Sequence, residues 1–166
     1  MTDAAAEIEH LVESYGEVWN EGEYSKIPEL VSESYVLHDP AIPEEVGPGP
    51  EGEAHGPEGL ESFLRWLRSG FPDMEVTIND LLTNETVAMD EVTFTGTNSG
   101  ELNGLPPTGR EVELMLMTKF IIEDGKITEH RAYLDQREFA EQLGLTFPTI
   151  LAQIPKLAVR KLRMSI

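Results

Sequence analysis

Residues 74 to 135 consist almost wholly of extended runs, at 74–82, 86–97, 110–123 and 126–135. Turn signals separate them: Thr83-Asn84-Glu85, the glycine-bounded connection from Gly100 to Gly109, and Glu123-Asp124-Gly125-Lys126, whose Asp-Gly pair is a strong hairpin signal. Strands joined consecutively by hairpins run antiparallel, so this half of the chain is constrained to a meander. The half before it is helical. Ile8, Leu11, Val12, Tyr15, Val18 and Trp19 recur every three or four residues over 3–20, one stripe of an amphipathic helix ended by Asn20-Glu21-Gly22. Pro57 opens a second helix, in which Leu60, Phe63, Leu64, Trp66 and Leu67 keep helical spacing up to Gly70. Helices first and a meander second predict an α+β domain, and 166 residues suit one such domain.

Shorter elements fill the gaps. A helix is expected over 25–30, a brief strand over 35–38 stopped by Asp39-Pro40, and a last helix over 137–143 stopped by Gly144. Glycine and proline are so dense over 40–59 that no regular element is expected there. A loop of that length is either a lid over a pocket or a disordered insertion.

Charge narrows the partners. The chain carries 31 Asp and Glu against 12 Lys and Arg, a net charge of −19. Such a surface repels phosphate backbones and anionic headgroups, which argues against nucleic acid and against a membrane surface as partners. At 40% hydrophobic residues the chain still has material for a core, so this is a folded acidic protein with a solvated shell. A salt-rich cytoplasm is one setting for such a shell, which makes a halophilic source an expectation. Cysteine is absent, which removes disulfides, thiolate nucleophiles and Cys-ligated metals. No basic and apolar leader or membrane-spanning stretch is legible, so a cytoplasmic protein is expected. The last eleven residues hold Lys156, Arg160, Lys161 and Arg163 and no acid, so a body at −23 carries a tail at +4. Residues 146–166 are therefore set apart as a basic extension of a domain spanning 1–145, either a docking strap or a frayed end.

On the last strand Ile127, Glu129, Arg131, Tyr133 and Asp135 share one face, and Thr128, His130, Ala132 and Leu134 the other. A row of Arg, Tyr and Asp costs free energy to bury without purpose, so Arg131, Tyr133 and Asp135 are read as the wall of a polar pocket, the plainer alternative being a rim ion pair. His38-Asp39-Pro40 forms a second concentration of ionisable groups, although an Asp before Pro is also an ordinary turn residue. The four histidines lack metal-ligand spacing, and no nucleophile elbow, phosphate loop or dinucleotide fingerprint occurs. Neither a metal nor a cofactor is expected. What remains is acid–base work by carboxylate, His and Tyr on a small molecule in an apolar cavity.

Several short motifs fall in a telling order: Tyr15-x-x-x-Trp19-Asn20-Glu21-Gly22, His38-Asp39-Pro40, Gly56-Pro57-Glu58-Gly59-Leu60, Phe71-Pro72-Asp73, the segment from Gly104 to Arg110, Asp124-Gly125-Lys126-Ile127-x-Glu129-His130 and Gln142-Leu143-Gly144. In order and spacing they resemble the SnoaL-like polyketide cyclases of the nuclear transport factor 2-like superfamily. The resemblance covers about residues 8 to 145 and leaves the basic tail aside. It implies a cone-shaped α+β barrel, a curved antiparallel sheet wrapped by the N-terminal helices around a deep pocket. It also implies a cofactor-free aldol ring closure, with Asp135 at the end of the last strand as general acid/base. Tyr133, His38 or His55 would then donate to the developing oxyanion, and Trp19, Phe63, Trp66 and Thr118 join them as candidate substrate-binding residues. Related ketosteroid isomerases place their base at an Asp-Pro, which makes Asp39 with Tyr15 a second candidate pair. Arg131 stands where relatives carry an aromatic residue. A cation beside Asp135 would weaken that base, and in a non-catalytic binding protein Arg131 would instead capture an anionic ligand group. Dimerisation through the outer face of the sheet is the oligomeric state the resemblance implies.

Overall fold

The computed structural model describes residues 3–102, 104–152 and 154. Helix α1 spans Asp3–Glu21 and buries Ile8, Val12, Tyr15 and Val18, the stripe its periodicity predicts. Asn20 stitches its end to the sheet: the side-chain amide donates to the Val76 carbonyl at 2.9 Å and its oxygen accepts the Val76 N–H at 2.7 Å. A short helix α2, Ile27–Leu30, leads into strand β1, Val31–His38, which begins four residues before the stretch the sequence marks. Then come β2 (Glu53–His55), α3 (Gly56–Gly70), β3 (Glu75–Thr83), β4 (Val87–Thr97), β5 (Glu111–Glu123), β6 (Lys126–Tyr133) and α4 (Gln136–Gln142).

The six strands form one curved sheet in the order β2-β1-β6-β5-β4-β3. The meander β3-β4-β5-β6 is antiparallel throughout, as its hairpins require. The curved sheet wrapped by helices is the one the resemblance implies, with one parallel pair in it. β1 runs parallel to β6, because the chain returns to it only after the whole α3-to-β5 excursion. The sheet also stays open, since β2 and β3 lie at opposite edges and do not pair. Helices α1 and α3 close what the strands leave open, α1 packing chiefly on β3 and α3 on β1. Tyr35, Leu37, Phe63, Leu64 and Phe71 fill the core between them.

The glycine- and proline-rich stretch does contain an element: Glu53-Ala54-His55, the triplet free of both residues between Gly52 and Gly56, pairs with β1. Its loop is neither a loose insertion nor a cover. Ile42 is buried in the core, the Asp39 N–H donates to the Gly52 carbonyl, and the His55 N–H donates to the Pro48 carbonyl. Gly49 is required there, at φ 129° with a Cβ position 2.7 Å from the Glu53 carbonyl oxygen. No helix among the described residues is long and apolar enough to cross a membrane. The four bases of the tail lie outside the described residues.

Candidate active site

Alternation along β4 and β5, and along β6 from His130 onward past a register shift at Ile127–Glu129, builds the concave wall. β4 turns Ala88, Asp90, Val92 and Phe94 inward, and β5 turns Leu114, Leu116, Thr118 and Phe120. β6 contributes His130 and Ala132. Register then sets neighbours: Asp90 faces Thr118 and Thr118 faces Ala132, while the next row holds Ala88, Phe120 and His130. Val12, Tyr15, Gly16 and Trp19 of α1 lie across the wall, Val76 and Ile78 of β3 close one side, and Asp39 enters just past the end of β1. The cavity volume is about 60 Å³, or about 540 Å³ of non-atom space when open solvent at the mouth is included, and no Lys or Arg lines it.

Two carboxyl groups therefore face an apolar cavity without a countercharge. Asp39 is 7% exposed, and burial pushes its pKa up to about 6, against a smaller opposing pull from the Ala41 N–H that its Oδ1 accepts at 2.8 Å. Asp90 is 3% exposed and accepts a hydrogen bond from the Thr118 hydroxyl. Burial raises its pKa too, with the Thr118 bond as the opposing influence.

Beside them stands a buried hydroxyl chain. The Tyr15 hydroxyl lies 2.7 Å from that of Tyr35 and 2.9 Å from His130 Nδ1. Burial lowers the His130 pKa to about 3, helped slightly by His38, so the imidazole is neutral. Burial raises both tyrosines, which stay protonated. The Phe120 ring sits 4.4 Å from the imidazole, and Tyr15 and Trp19 meet it edge-on. This arrangement can move a proton at neutral pH through a carboxyl and can offer neutral hydrogen-bond donors. It offers no cation to an anionic ligand, and no metal-binding cluster occurs among the described residues.

Of the residues the sequence singles out, Tyr15, Trp19, Asp39 and Thr118 meet in this cavity. The others lie elsewhere. Asp135 is exposed and caps α4, its Oδ1 accepting from the Arg137 and Glu138 N–H groups, so its carboxyl is spent on a helix end. Arg131 pairs with Glu129 on the outer face and reaches neither Asp135 nor a cavity ligand. Tyr133 is 59% exposed on that same face. His38 and His55 both turn to Glu53, at 3.3 Å and 2.6 Å. Phe63 is core packing behind Trp19, and Trp66 stacks on Phe63 at the half-buried flank of α3. The wall of β6 is thus the His130–Ala132 row and not the Arg131–Tyr133 row. Arg131 keeps its charge hydrated on the convex side, whereas a histidine can enter the interior uncharged. Asp90, His130 and Phe120 escaped sequence reasoning. Asp90 had a signal, as the one acid in the otherwise apolar alternation Ala88, Asp90, Val92, Phe94.

The chain is thus an open α+β sheet, closed by helices over an acid-lined apolar cavity. The chain belongs to the SnoaL-like polyketide cyclase family, whose model matches residues 9–143. It is 28% identical over 141 residues to the aklanonic acid methyl ester cyclase DauD of Streptomyces sp. (strain C5), covering 84% of this chain and 83% of that one. The nogalonic acid methyl ester cyclase of Streptomyces nogalater is 26% identical over 132 residues, covering 78% and 92%. Among solved structures, TsrD from Streptomyces laurentii superposes with a TM-score of 0.71 at 27% identity, covering 85% of this chain and 97% of that one.

Proposed function

We propose that the chain is a cofactor-free acid–base enzyme that closes a ring by aldol addition within a small, largely apolar carbonyl compound, with Asp39 as the general acid/base. One observation carries this reading: a buried carboxyl, its proton affinity raised toward neutrality, faces an apolar cavity that holds no cation. Asp39 as carboxylate takes a proton from carbon flanked by two carbonyls. The enolate adds to a second carbonyl carbon, forming the new C–C bond, and the resulting alkoxide takes the proton back from Asp39. Atoms and charge balance without a co-reactant, and conjugation in the substrate spreads the enolate charge. Asp90, held by Thr118, is the second carboxyl of the site.

The methyl ester substrates named for the curated relatives form the natural first panel. Ring closure and deuterium incorporation from solvent at the activated carbon are expected from wild type, and loss of both from Asp39→Asn. Equal turnover by the two would defeat the Asp39 role. A homodimer across the convex face, where Leu82, Met89, Met115, Met117 and Tyr133 are exposed, is the assembly we propose. Light scattering of wild type and Met117→Lys tests it, and a wild-type monomer refutes it.

A further inference from the structure

The ring closure proposed above develops negative charge on oxygen, and Asp39 and Asp90 are acceptors when ionised. The site therefore needs a neutral donor, and two buried ring nitrogens in it have no hydrogen-bond partner, Trp19 Nε1 and His130 Nε2. His130 is 4% exposed, lines the cavity, and has a buried Nε2 without any hydrogen-bond partner. An unpartnered polar atom so deeply buried costs stability, so its persistence asks for a use.

The hydroxyl chain decides what Nε2 carries. Suppose Tyr35 donates to the Tyr15 oxygen and Tyr15 donates to His130 Nδ1. The imidazole proton is then on Nε2, and Nε2–H is the single unused group in the chain. In the reverse arrangement Nδ1–H donates to Tyr15 and Tyr15 donates to Tyr35. That strands the Tyr35 hydroxyl proton in the core and leaves the Nε2 lone pair unused as well, so two groups go unsatisfied instead of one. The Trp19 indole N–H closes no hydrogen bond, and its ring lies 6.1 Å from that of Tyr15. Phe120, Tyr15 and Trp19 pack around the ring and hold its orientation.

We infer that His130 presents a neutral Nε2–H to the cavity as the hydrogen-bond donor for the substrate oxygen that becomes negative, with Tyr15 as the positioning residue that fixes its tautomer. The inference rests on reading the cavity as a site for carbonyl compounds. A neutral imidazole N–H fits the task, since it stabilises an enolate or alkoxide without bringing a permanent charge into the apolar space. His130 stands one inward position before Ala132, which faces Thr118, the residue bonded to Asp90, so donor and acid border the same space.

Histidine-selective ¹⁵N labelling tests the tautomer in the ligand-free protein at pH 7, through the couplings between ring nitrogens and carbon-bound protons. A protonated Nε2 with an unprotonated Nδ1 is expected; the Nδ1–H tautomer or an imidazolium overturns the inference. Tyr15→Phe should release the lock and give a mixture of tautomers, whereas Tyr35→Phe should keep Nε2–H. Two neutral ketones, cyclohexanone and 1-tetralone labelled with ¹³C at the carbonyl, then probe donation directly. The carbonyl stretch of the bound ketone should fall to lower frequency in wild type and in His130→Gln, whose amide N–H stands near Nε2, and the downshift should vanish in His130→Leu. The same frequency in wild type and His130→Leu overturns the donor role, and the absence of saturable binding of either ketone to wild type overturns it together with the cavity reading. A shifted stretch in a protein that turns over no methyl ester of the panel defeats the Asp39 mechanism and leaves the donor standing.

Discussion

Replacing Asp39 by Asn separates what this residue costs the fold from what it does in the cavity. Its ordinary pKa of 3.8 becomes about 6 in the fold, chiefly through burial. That is a rise of about 2 units, or about 3 kcal/mol at 1.36 kcal/mol per unit. The folded carboxyl keeps its proton to a higher pH than the unfolded one. Its contribution is therefore fully present below about pH 4, is lost as the pH climbs to about 6, and is constant above that. Asn cannot ionise, has nearly the same shape, and keeps an oxygen for the Ala41 N–H. Urea unfolding of wild type and Asp39→Asn between pH 3.5 and 7.5 should give coincident stabilities at the acid end. At pH 7 the variant should be more stable by about 3 kcal/mol. The other 30 acids are common to both proteins, so their self-repulsion cancels in the difference. A difference that stays flat with pH, or a wild type that is the more stable protein at pH 7, would refute the claim that burial raises the Asp39 pKa. With turnover measured on the same samples, the variant should be the more stable and the inactive one, which is how a strained catalytic group behaves and a structural one does not.

Four further outcomes are expected. Asp135→Ala removes the α4 cap and should cost about 1 kcal/mol in thermal unfolding while leaving turnover unchanged, because the carboxyl caps two backbone N–H groups at the surface. Thr118→Val removes the hydroxyl that donates to Asp90, which should raise the Asp90 pKa further, seen by carboxyl ¹³C titration, and destabilise the fold by about 2 kcal/mol. Gly100→Ala should cost about 3 kcal/mol by chemical denaturation, since a Cβ there would fall 1.7 Å from the Ser69 carbonyl oxygen, where only backbone could yield. Molar KCl should raise the melting temperature relative to low salt, because it screens a net charge of −19; equal melting temperatures would dismiss the halophilic reading.

Local rules carried the reading as far as local rules reach. The stripe of α1, the hairpins from β3 to β6 and the stop at Gly144 are each specified by a few neighbouring residues, and they lie where their spacing puts them. The parallel contact of β1 with β6 and the three-residue β2 depend on partners far along the chain, and a three-residue strand between glycines carries no periodicity of its own. The site divides along the same line. Tyr15, Trp19 and Thr118 came as site candidates from the family resemblance, and the helix stripe of α1 and the alternation of β5 agree in turning them inward. On β6 both faces carry polar groups, so alternation alone separated two rows without saying which of them is buried. The choice turned on which polar residues are tolerable inside, and cost was taken as a sign of purpose for Arg131, Tyr133 and Asp135. The weighing runs the other way. Arg131 cannot shed its charge and pairs with Glu129 in solvent, whereas His130 sheds its charge and finds Tyr15, so the row that can become neutral is the one that faces the cavity. Asp39 and Asp90 obey the same rule, since each is a carboxyl that burial drives toward its protonated form. In a chain this rich in fixed surface charge, the groups to seek at the reaction site are those whose charge the fold can switch off.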